Sequence, residues 1–293
     1  MTRAAPSIQD YQAFRALLEE ACGIVLGDNK HYLVASRLGR LMTEEGVANL
    51  GELVEHLKAG RNRKLRERII EAMTTNETFW FRDIFPFDIL KEQIFPDLAE
   101  RKIRTPRIWS AACSSGQEPY SISMIFQEYL ATRPGGLNDV QILATDISPA
   151  VLNEARAATY DSHALARGLS PERRQRYFLP LRDGRWQVRP EIRDRVRFSQ
   201  ANLLQPYSLL GRFDVIFCRN VLIYFSSASK TDILARMARS LNPGGYLFLG
   251  SSEAITQYSD EFELVRCPRG SVYRVKNNLS PRLPNLVRPG GKT

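Results

Sequence analysis

The sequence predicts an α/β fold. A largely parallel sheet, covered by helices on both faces, is preceded by an all-helical unit and interrupted by a small antiparallel β insertion. Three observations predict it. Residues 1–74 show helical periodicity throughout. From residue 107 onward, short apolar runs alternate with helical stretches, which is the pattern of βα units in a doubly covered sheet. Residues 160–195 break that alternation with an Arg-rich stretch carrying a hairpin signal. At 293 residues and 43% hydrophobic, the chain can bury the cores of one large domain or two smaller ones.

Each element follows from a local pattern. In SIQDYQAFRALLEEACG, Ser7 can cap a helix whose apolar positions are Tyr11, Phe14, Leu17, Leu18 and Ala21, and Gly23 ends it. KHYLVASRLGRLMTEEG repeats the spacing with Leu33, Leu38, Leu41 and Met42. NLGELVEHLKAG has Asn49 as cap, Glu52 three residues on, and Gly60 as stop. LRERIIEAMTT reads as a fourth helix, and residues 75–106 form a linking segment with one more helix over about 84–100. Strands are expected at 107–112, 141–146, 196–202, 213–220 and 245–252, with helices at 117–131, 149–158 and 228–241. In LNPGGYLFLGSSE, Asn242-Pro243-Gly244-Gly245 reads as a tight turn into the last of these strands, and FELVR and SVYRV read as a closing antiparallel pair. Asp183-Gly184, between YFLPL and WQVRP, signals the hairpin of the insertion. The Pro-, Gly- and Asn-rich tail, 277–293, is expected to be disordered.

Composition excludes several classes. No apolar run approaches a membrane span, and MTRAAPSIQDYQ has no secretory apolar region. Cys22, Cys113, Cys218 and Cys267 form no CxxC pair, and there are three His, so neither a structural zinc site nor a disulfide framework is expected. The expectation is a cytoplasmic, metal-free protein, monomeric because no heptad or exposed apolar repeat suggests otherwise. The formal charge of +9 is concentrated: residues 160–197 carry ten basic against five acidic side chains, and 266–293 carry seven basic and none acidic. An acidic partner fits that distribution, as does plain solubility.

The chemistry-bearing stretches lie at expected strand ends. SAACSSGQEPYSISM follows the first strand, where small residues and Gly116 let a ligand approach the backbone at a helix N-terminus, with Glu118 just beyond. It is neither GxGxxG nor a P-loop. Asp146 ends the second strand, placed to take ribose hydroxyls or to cap the helix after Ser148-Pro149. Asn202, beside Leu203, ends the third strand and could read an adenine edge. Arg219 and Asn220 end the fourth, in FCRNVLIYF. This order suits S-adenosylmethionine better than other nucleoside ligands. NETFWFRD, 76–83, sets Phe79, Trp80 and Phe81 among polar residues with no period, so packing and site-building are both open to it.

In order and spacing, NETFWFRD, ACSSGQEPYS, LATDIS, FDVIFCRNVLIYF and LNPGGYLFLGSSE resemble the chemotaxis receptor methyltransferase (CheR) family, over about residues 8–276. The resemblance implies a Rossmann-like class I methyltransferase sheet over 107–276, with an N-terminal all-helical receptor-recognition domain over 1–74 and the β insertion at about 160–195. It implies S-adenosylmethionine-dependent protein-glutamate O-methylation of the cytoplasmic helical bundle of chemoreceptors, with S-adenosylhomocysteine as product. Carried onto this chain, Asn76, Thr78, Arg82, Gly116, Glu118, Asp146, Asn202, Leu203, Arg219 and Asn220 form the cofactor site. Tyr224 is similar to the family's tyrosine near the transferred methyl, and Arg82 and Tyr224 are the candidate catalytic residues. In the family, the β insertion can grip a receptor C-terminal peptide.

Lys30, Arg37 and Arg40 fall three and seven apart, on roughly one helix face, and are the candidate receptor-binding residues. An ordinary solvated face is the alternative. A nucleic-acid methyltransferase is disfavoured because neither an Asn/Asp-Pro-Pro-aromatic motif nor a Pro-Cys nucleophile is present. The intact motifs argue against a non-catalytic receptor adaptor, and the missing GxGxxG argues against a dehydrogenase.

Overall fold

The structure is a computed structural model, and it describes residues 7–59 and 63–276. Gly60 and the tail 277–293 lie outside the described residues. Four helices come first: α1 (Ile8–Cys22), α2 (His31–Glu44), α3 (Leu50–Lys58) and α4 (Arg63–Met73). The Ser7 hydroxyl accepts the Asp10 amide and the Asn49 side chain accepts the Glu52 amide, so two sequence-read caps form as the residues dictate. Tyr11, Phe14 and Leu18 meet Val34, Leu38, Leu53, Ile69 and Met73 in one core of their own.

The chain then runs through a near-continuous helical stretch: α5 (Phe85–Ile89), a π-helical turn (Leu90–Ile94) and α6 (Phe95–Glu100). After it come β1 (Arg107–Ala111), α7 (Gln117–Thr132), β2 (Gln141–Asp146) and α8 (Pro149–Ala157). The insertion holds β3 (Thr159–Tyr160), α9 (Ser162–Ala166), α10 (Pro171–Tyr177), β4 (Phe178–Pro180), β5 (Trp186–Val188) and α11 (Pro190–Arg193). The sheet resumes with β6 (Val196–Gln200), β7 (Phe213–Cys218), α12 (Ser227–Ser240), β8 (Leu241–Phe248), β9 (Phe262–Cys267) and β10 (Gly270–Val275).

The main sheet has the order β6-β2-β1-β7-β8-β10-β9, parallel through β8 and antiparallel at the closing pair. Both faces are buried, as a parallel sheet requires. Ile108, Ile142 and Phe217 enter one core while Trp109, Ile216 and Cys218 enter the other, the period-two alternation of a strand.

One expectation is corrected. Asn242–Gly245 is not a turn leading into a strand starting at 245. β8 begins at Leu241, and the segment bulges within it, between the pairs Phe213–Leu241 and Val215–Tyr246. The bulge is held from outside. Arg101 donates to the Pro243 and Gly244 carbonyls at 2.8 and 3.2 Å, and the Asn242 amide donates to Asp214 at 2.8 Å. The insertion forms the small antiparallel sheet expected of it: β5 pairs with β4 across the Asp183-Gly184 turn and, on its other side, with β3. A strand as short as β3 shows no period to read.

NETFWFRD is the seam between insertion and sheet. Trp80 packs edge-on against Tyr160 and Phe178 at 5.0 and 5.2 Å, and its backbone amide donates to the Arg167 carbonyl. Gly168 makes this approach feasible, since a Cβ there would sit 1.9 Å from the Trp80 carbonyl oxygen. Phe81 turns the other way, onto Phe87, with the Arg173 guanidinium 3.9 Å from its ring centre.

Glu128 of α7 ties the same elements together. It accepts from Arg173 of α10 at 2.8 and 3.1 Å and from Lys91 at 3.1 Å. Burial pushes its carboxyl up, but Arg173 and Lys91 outweigh burial and hold it below the ordinary value. A depressed folded value contributes stability that is complete above the unfolded carboxylate value, about 4.3, and is lost as pH falls through the folded value. Glu128→Gln is expected to lower stability by about 1 kcal/mol at pH 7, discounted for solvent screening of a half-exposed network. Urea denaturation at pH 7 and at about pH 3 should show that difference shrinking with acid.

Candidate functional site

The strand order places the topological switch between β1 and β7, and a cleft opens at the carboxyl ends of the strands there. Its floor comes from the loops after β1, β2, β6 and β7. The segment Met73–Thr78 and Arg82 close one side, and Cys22 and Ile24 from the end of α1 complete it. Asn76, Thr78, Arg82, Glu118, Asp146, Asn202, Leu203, Arg219, Asn220 and Tyr224, drawn from five separate stretches of sequence, all line this one cleft.

Gly116 does not line it. It stands at the start of α7 at φ 95°, and a Cβ there would meet the Ala155 side chain and the Tyr160 hydroxyl at 3.0 Å. The glycine lets α8 and the insertion come close, while the loop reverses at Ala112 and Ser114, both in left-handed backbone. Neither residue type signals such a conformation, so the sequence pointed to the glycine instead.

Arg219 is the best-buried charge of the site, its side chain 1% exposed. It donates to Asp83 at 2.8 Å, to the Arg82 carbonyl at 2.7 Å and to Glu118 at 3.0 Å. Glu118 also accepts the Ser110 hydroxyl at 2.8 Å. Phe81, Asp83 and Ile84 all have positive φ, a strained turn for non-glycine residues, and Arg219 fastens it. Arg82 is thereby aimed at the cleft, with its guanidinium on the Glu77 carbonyl at 3.0 Å and beside the Phe79 ring.

Asp146 accepts the Ser114 and Ser148 amides at 2.8 and 3.0 Å, one on each oxygen. Burial pushes its carboxyl up, against the lowering by the Ser148, Ser114 and Ile147 amides. Each oxygen keeps a further lone pair for a hydroxyl donor. The cap of α8 is Ser148, whose hydroxyl accepts the Val151 amide. Asn202 reaches across to the helical domain, donating to the Ala21 carbonyl at 2.9 Å and accepting the Leu204 amide at 3.0 Å. Tyr224 accepts the Val25 amide on its carbonyl at 2.9 Å.

Sequence reasoning missed Cys22, Ile24, Cys113, Ile147, Val221 and Phe225 in the lining. Cys113, Ile147, Val221 and Phe225 fall inside motifs that carry the cofactor reading. The two from α1 and its following loop are legible only from the docking of the helical domain. Cys113 is no nucleophile: burial, then the Asp146 and Glu118 carboxylates, push its thiol well above the ordinary value.

On α2 the three candidate receptor-binding cations stand in different surroundings. Arg37 turns inward and donates to the Met73 and Thr74 carbonyls at 2.7 and 3.1 Å and to the Thr75 hydroxyl at 2.9 Å. It braces cleft-lining backbone and leaves no open face with its neighbours. Arg40 is 91% exposed and paired with Glu44 one turn on, and Lys30 lies by the Tyr32 ring. Arg37→Glu is expected to cost about 1.5–3 kcal/mol in urea unfolding, since three bonds to a charged group are lost. Arg40→Glu should leave the urea midpoint essentially unchanged.

Comparison with known proteins agrees with the geometry. The family model for the CheR methyltransferase SAM binding domain matches residues 76–271, and that for the CheR methyltransferase all-alpha domain matches residues 9–74. The chemotaxis protein methyltransferase 1 of Pseudomonas aeruginosa is 54% identical over 269 residues, covering 91% of this chain and 98% of its own. The chemotaxis protein methyltransferase of Vibrio parahaemolyticus is 52% identical over 276 residues, covering 94% of this chain and all of its own. That of Salmonella typhimurium is 38% identical and covers 89% of each chain. The chain belongs to the CheR methyltransferase family, and its donor is S-adenosylmethionine.

Proposed function

We propose that this methyltransferase esterifies glutamate side chains on the cytoplasmic helical bundle of chemoreceptors, forming glutamyl methyl esters in chemotactic adaptation. The observation that carries the reading is the convergence of NETFWFRD and four strand ends on one cleft that contains no histidine among its described lining residues.

The lining fits the donor. Ile147, Leu203 and Phe225 offer apolar wall for a base, Asp146 offers acceptors for a ribose diol, and the Glu118 carboxylate faces the same space for an ammonium group. The buried Oδ1 of Asn220 has no partner within the protein, leaving an acceptor to be filled. When bound, the donor supplies a methyl group on a sulfonium that leaves as a neutral thioether.

A glutamate carboxylate, with pKa about 4.3, is already ionised at neutral pH. The protein therefore needs no general base and no metal; its task is alignment and exclusion of water. Arg82 and Tyr224 are the side chains to which we assign that alignment. Arg82 positions the acceptor more than it activates it, because a tight Arg–carboxylate pair would blunt the nucleophile. Its bond to the Glu77 carbonyl and its place beside Phe79 restrain the guanidinium accordingly.

The acceptor is a protein presented from the cytoplasm, and the enzyme is read as a monomer. Among the described residues no helix is long and apolar enough to cross a membrane. On the insertion, the exposed Arg174 lies over the partly exposed Trp186 ring, a cationic aromatic contact suited to an acidic receptor peptide.

The test is transfer of labelled methyl from S-adenosylmethionine to a chemoreceptor cytoplasmic fragment. Incorporated label should be released by mild base as methanol and should vanish when the receptor glutamates are replaced by alanine. Base-stable label would overturn the ester assignment. Arg82→Ala is expected to lower turnover about 100-fold at saturating donor, the cost of a misplaced reacting group. Unchanged turnover would remove Arg82 from the site.

A further inference from the structure

The stretch LNPGGYLFLGSSE ends in a glutamate that the cleft does not contain and the proposed reaction does not use. Glu253 follows β8 and is absent from the cleft lining. Its carboxylate nevertheless accepts three backbone amides. Oε2 takes Asn220 at 2.7 Å and Gly250 at 2.8 Å, and Oε1 takes Ile223 at 3.3 Å. The Glu253 amide in turn donates to the Gly250 carbonyl at 2.9 Å. The turn Gly250–Glu253 is thus a closed socket, and the loop after β7 is plugged into it.

That loop needs holding. Asn220 adopts left-handed backbone at φ 57°, a conformation that puts its amide where no sheet partner can reach it. Gly250 is open to it because a Cβ there would lie 2.5 Å from the Asn220 side-chain nitrogen and 2.9 Å from its backbone nitrogen. The two ends of the loop do different work in the proposed reaction: Asn220 lines the cleft at the end of β7, and Tyr224 lines it four residues on. One carboxylate therefore sets where both stand relative to each other, by bonding the residue at one end and the residue just before the other.

We propose that Glu253 is a positioning residue for methyl transfer: it fixes the 220–224 loop, and through it Asn220 and Tyr224, in the geometry the cleft requires. This rests on the reading of the cleft as the methyl-transfer site. Solubility does not explain such a carboxylate. A surface glutamate gains little from one geometry, whereas three charge-assisted bonds to backbone amides rigidify the segment they reach.

The experiment compares Glu253→Ala, Glu253→Gln and Gly250→Ala with the parent chain. Amide hydrogen exchange on the donor-free protein should show faster exchange confined to residues 219–224 and 250 in Glu253→Ala, with the strands still protected. Donor-binding stoichiometry should stay at about one, which counts the folded fraction. At saturating donor, kcat per binding site should fall at least about ten-fold in Glu253→Ala and in Gly250→Ala, with acceptor KM within about two-fold. Glu253→Gln keeps one carbonyl oxygen for Asn220 and Gly250, so it should retain most of the rate. A merely structural glutamate would lower the binding stoichiometry and leave kcat per site unchanged, and that result would overturn the proposal. If the parent chain itself transfers no methyl group to any carboxylate acceptor, the function falls and this role with it. Parent turnover with unaffected variants removes this role alone.

Discussion

The site depends on a single buried guanidinium. Arg219 leaves β7 with its side chain 1% exposed and ties together three stretches: the end of its own strand, the turn at Arg82–Asp83, and α7 through Glu118. Left-handed backbone at Phe81, Asp83 and Ile84 costs about 1–2 kcal/mol per residue. The turn persists because bonds to a buried ion return about 1.5–3 kcal/mol each, and Arg219 supplies two of them to this turn alone. Removing the cation would do more than cost those bonds. Asp83 and Glu118 would face each other's charge in a poorly solvated space, which is why breaking such a network is more expensive than its net worth. The geometry of Arg82 is therefore decided by a residue 137 positions later.

The helical domain is a wall of the same cleft as well as a separate core. Cys22 and Ile24 line it, Asn202 bonds to backbone in the last turn of α1 and Tyr224 to backbone just beyond it, and Arg37 of α2 holds the carbonyls at the linker. α2 consequently serves two purposes on adjacent faces. Arg37 is spent on the linker, and what remains for an acidic partner is the outer side around Arg40 and Lys30. A helix with its charges at helical spacing looks uniform in sequence, and the inward turn of one of them depends on where residues 73–75 pass.

Much of the architecture was legible because its causes are local. The two-residue alternation of β1, β2 and β7 and the caps at Ser7 and Asn49 each arise from neighbouring residues, whereas the cap of α8 is Ser148 and not Asp146. Features set by distant partners were not legible. The bulge at Asn242–Gly245 is made by Arg101 and Asp214, and β3 becomes a strand only because β5 lies beside it. Gly116 shows the commonest way such reading goes astray. A glycine at a strand–helix turn suggests a ligand, yet here the close neighbour is a helix. The polar strand ends were found because a parallel sheet with a switch point leaves only one edge where ligands can bind.

The chemistry proposed for the cleft places a constraint on the cleft itself. An enzyme that alkylates carboxylates carries its own carboxylates beside the reacting group. Asp146 has both oxygens engaged by backbone amides, and Glu118 has one oxygen on Ser110 and the other on Arg219. Hydrogen bonds of this kind stabilise the lone pairs of the anion and fix where they point, so these groups are acceptors for binding and poor nucleophiles. Of the two thiols in the lining, Cys113 is kept protonated by burial and by those same two anions, and burial pushes Cys22 up to about 11. An incoming glutamate on a partner helix has no such partners until it reaches Arg82. Discrimination between self and substrate then needs no special recognition of the side chain. It follows from which carboxylates the fold has already satisfied.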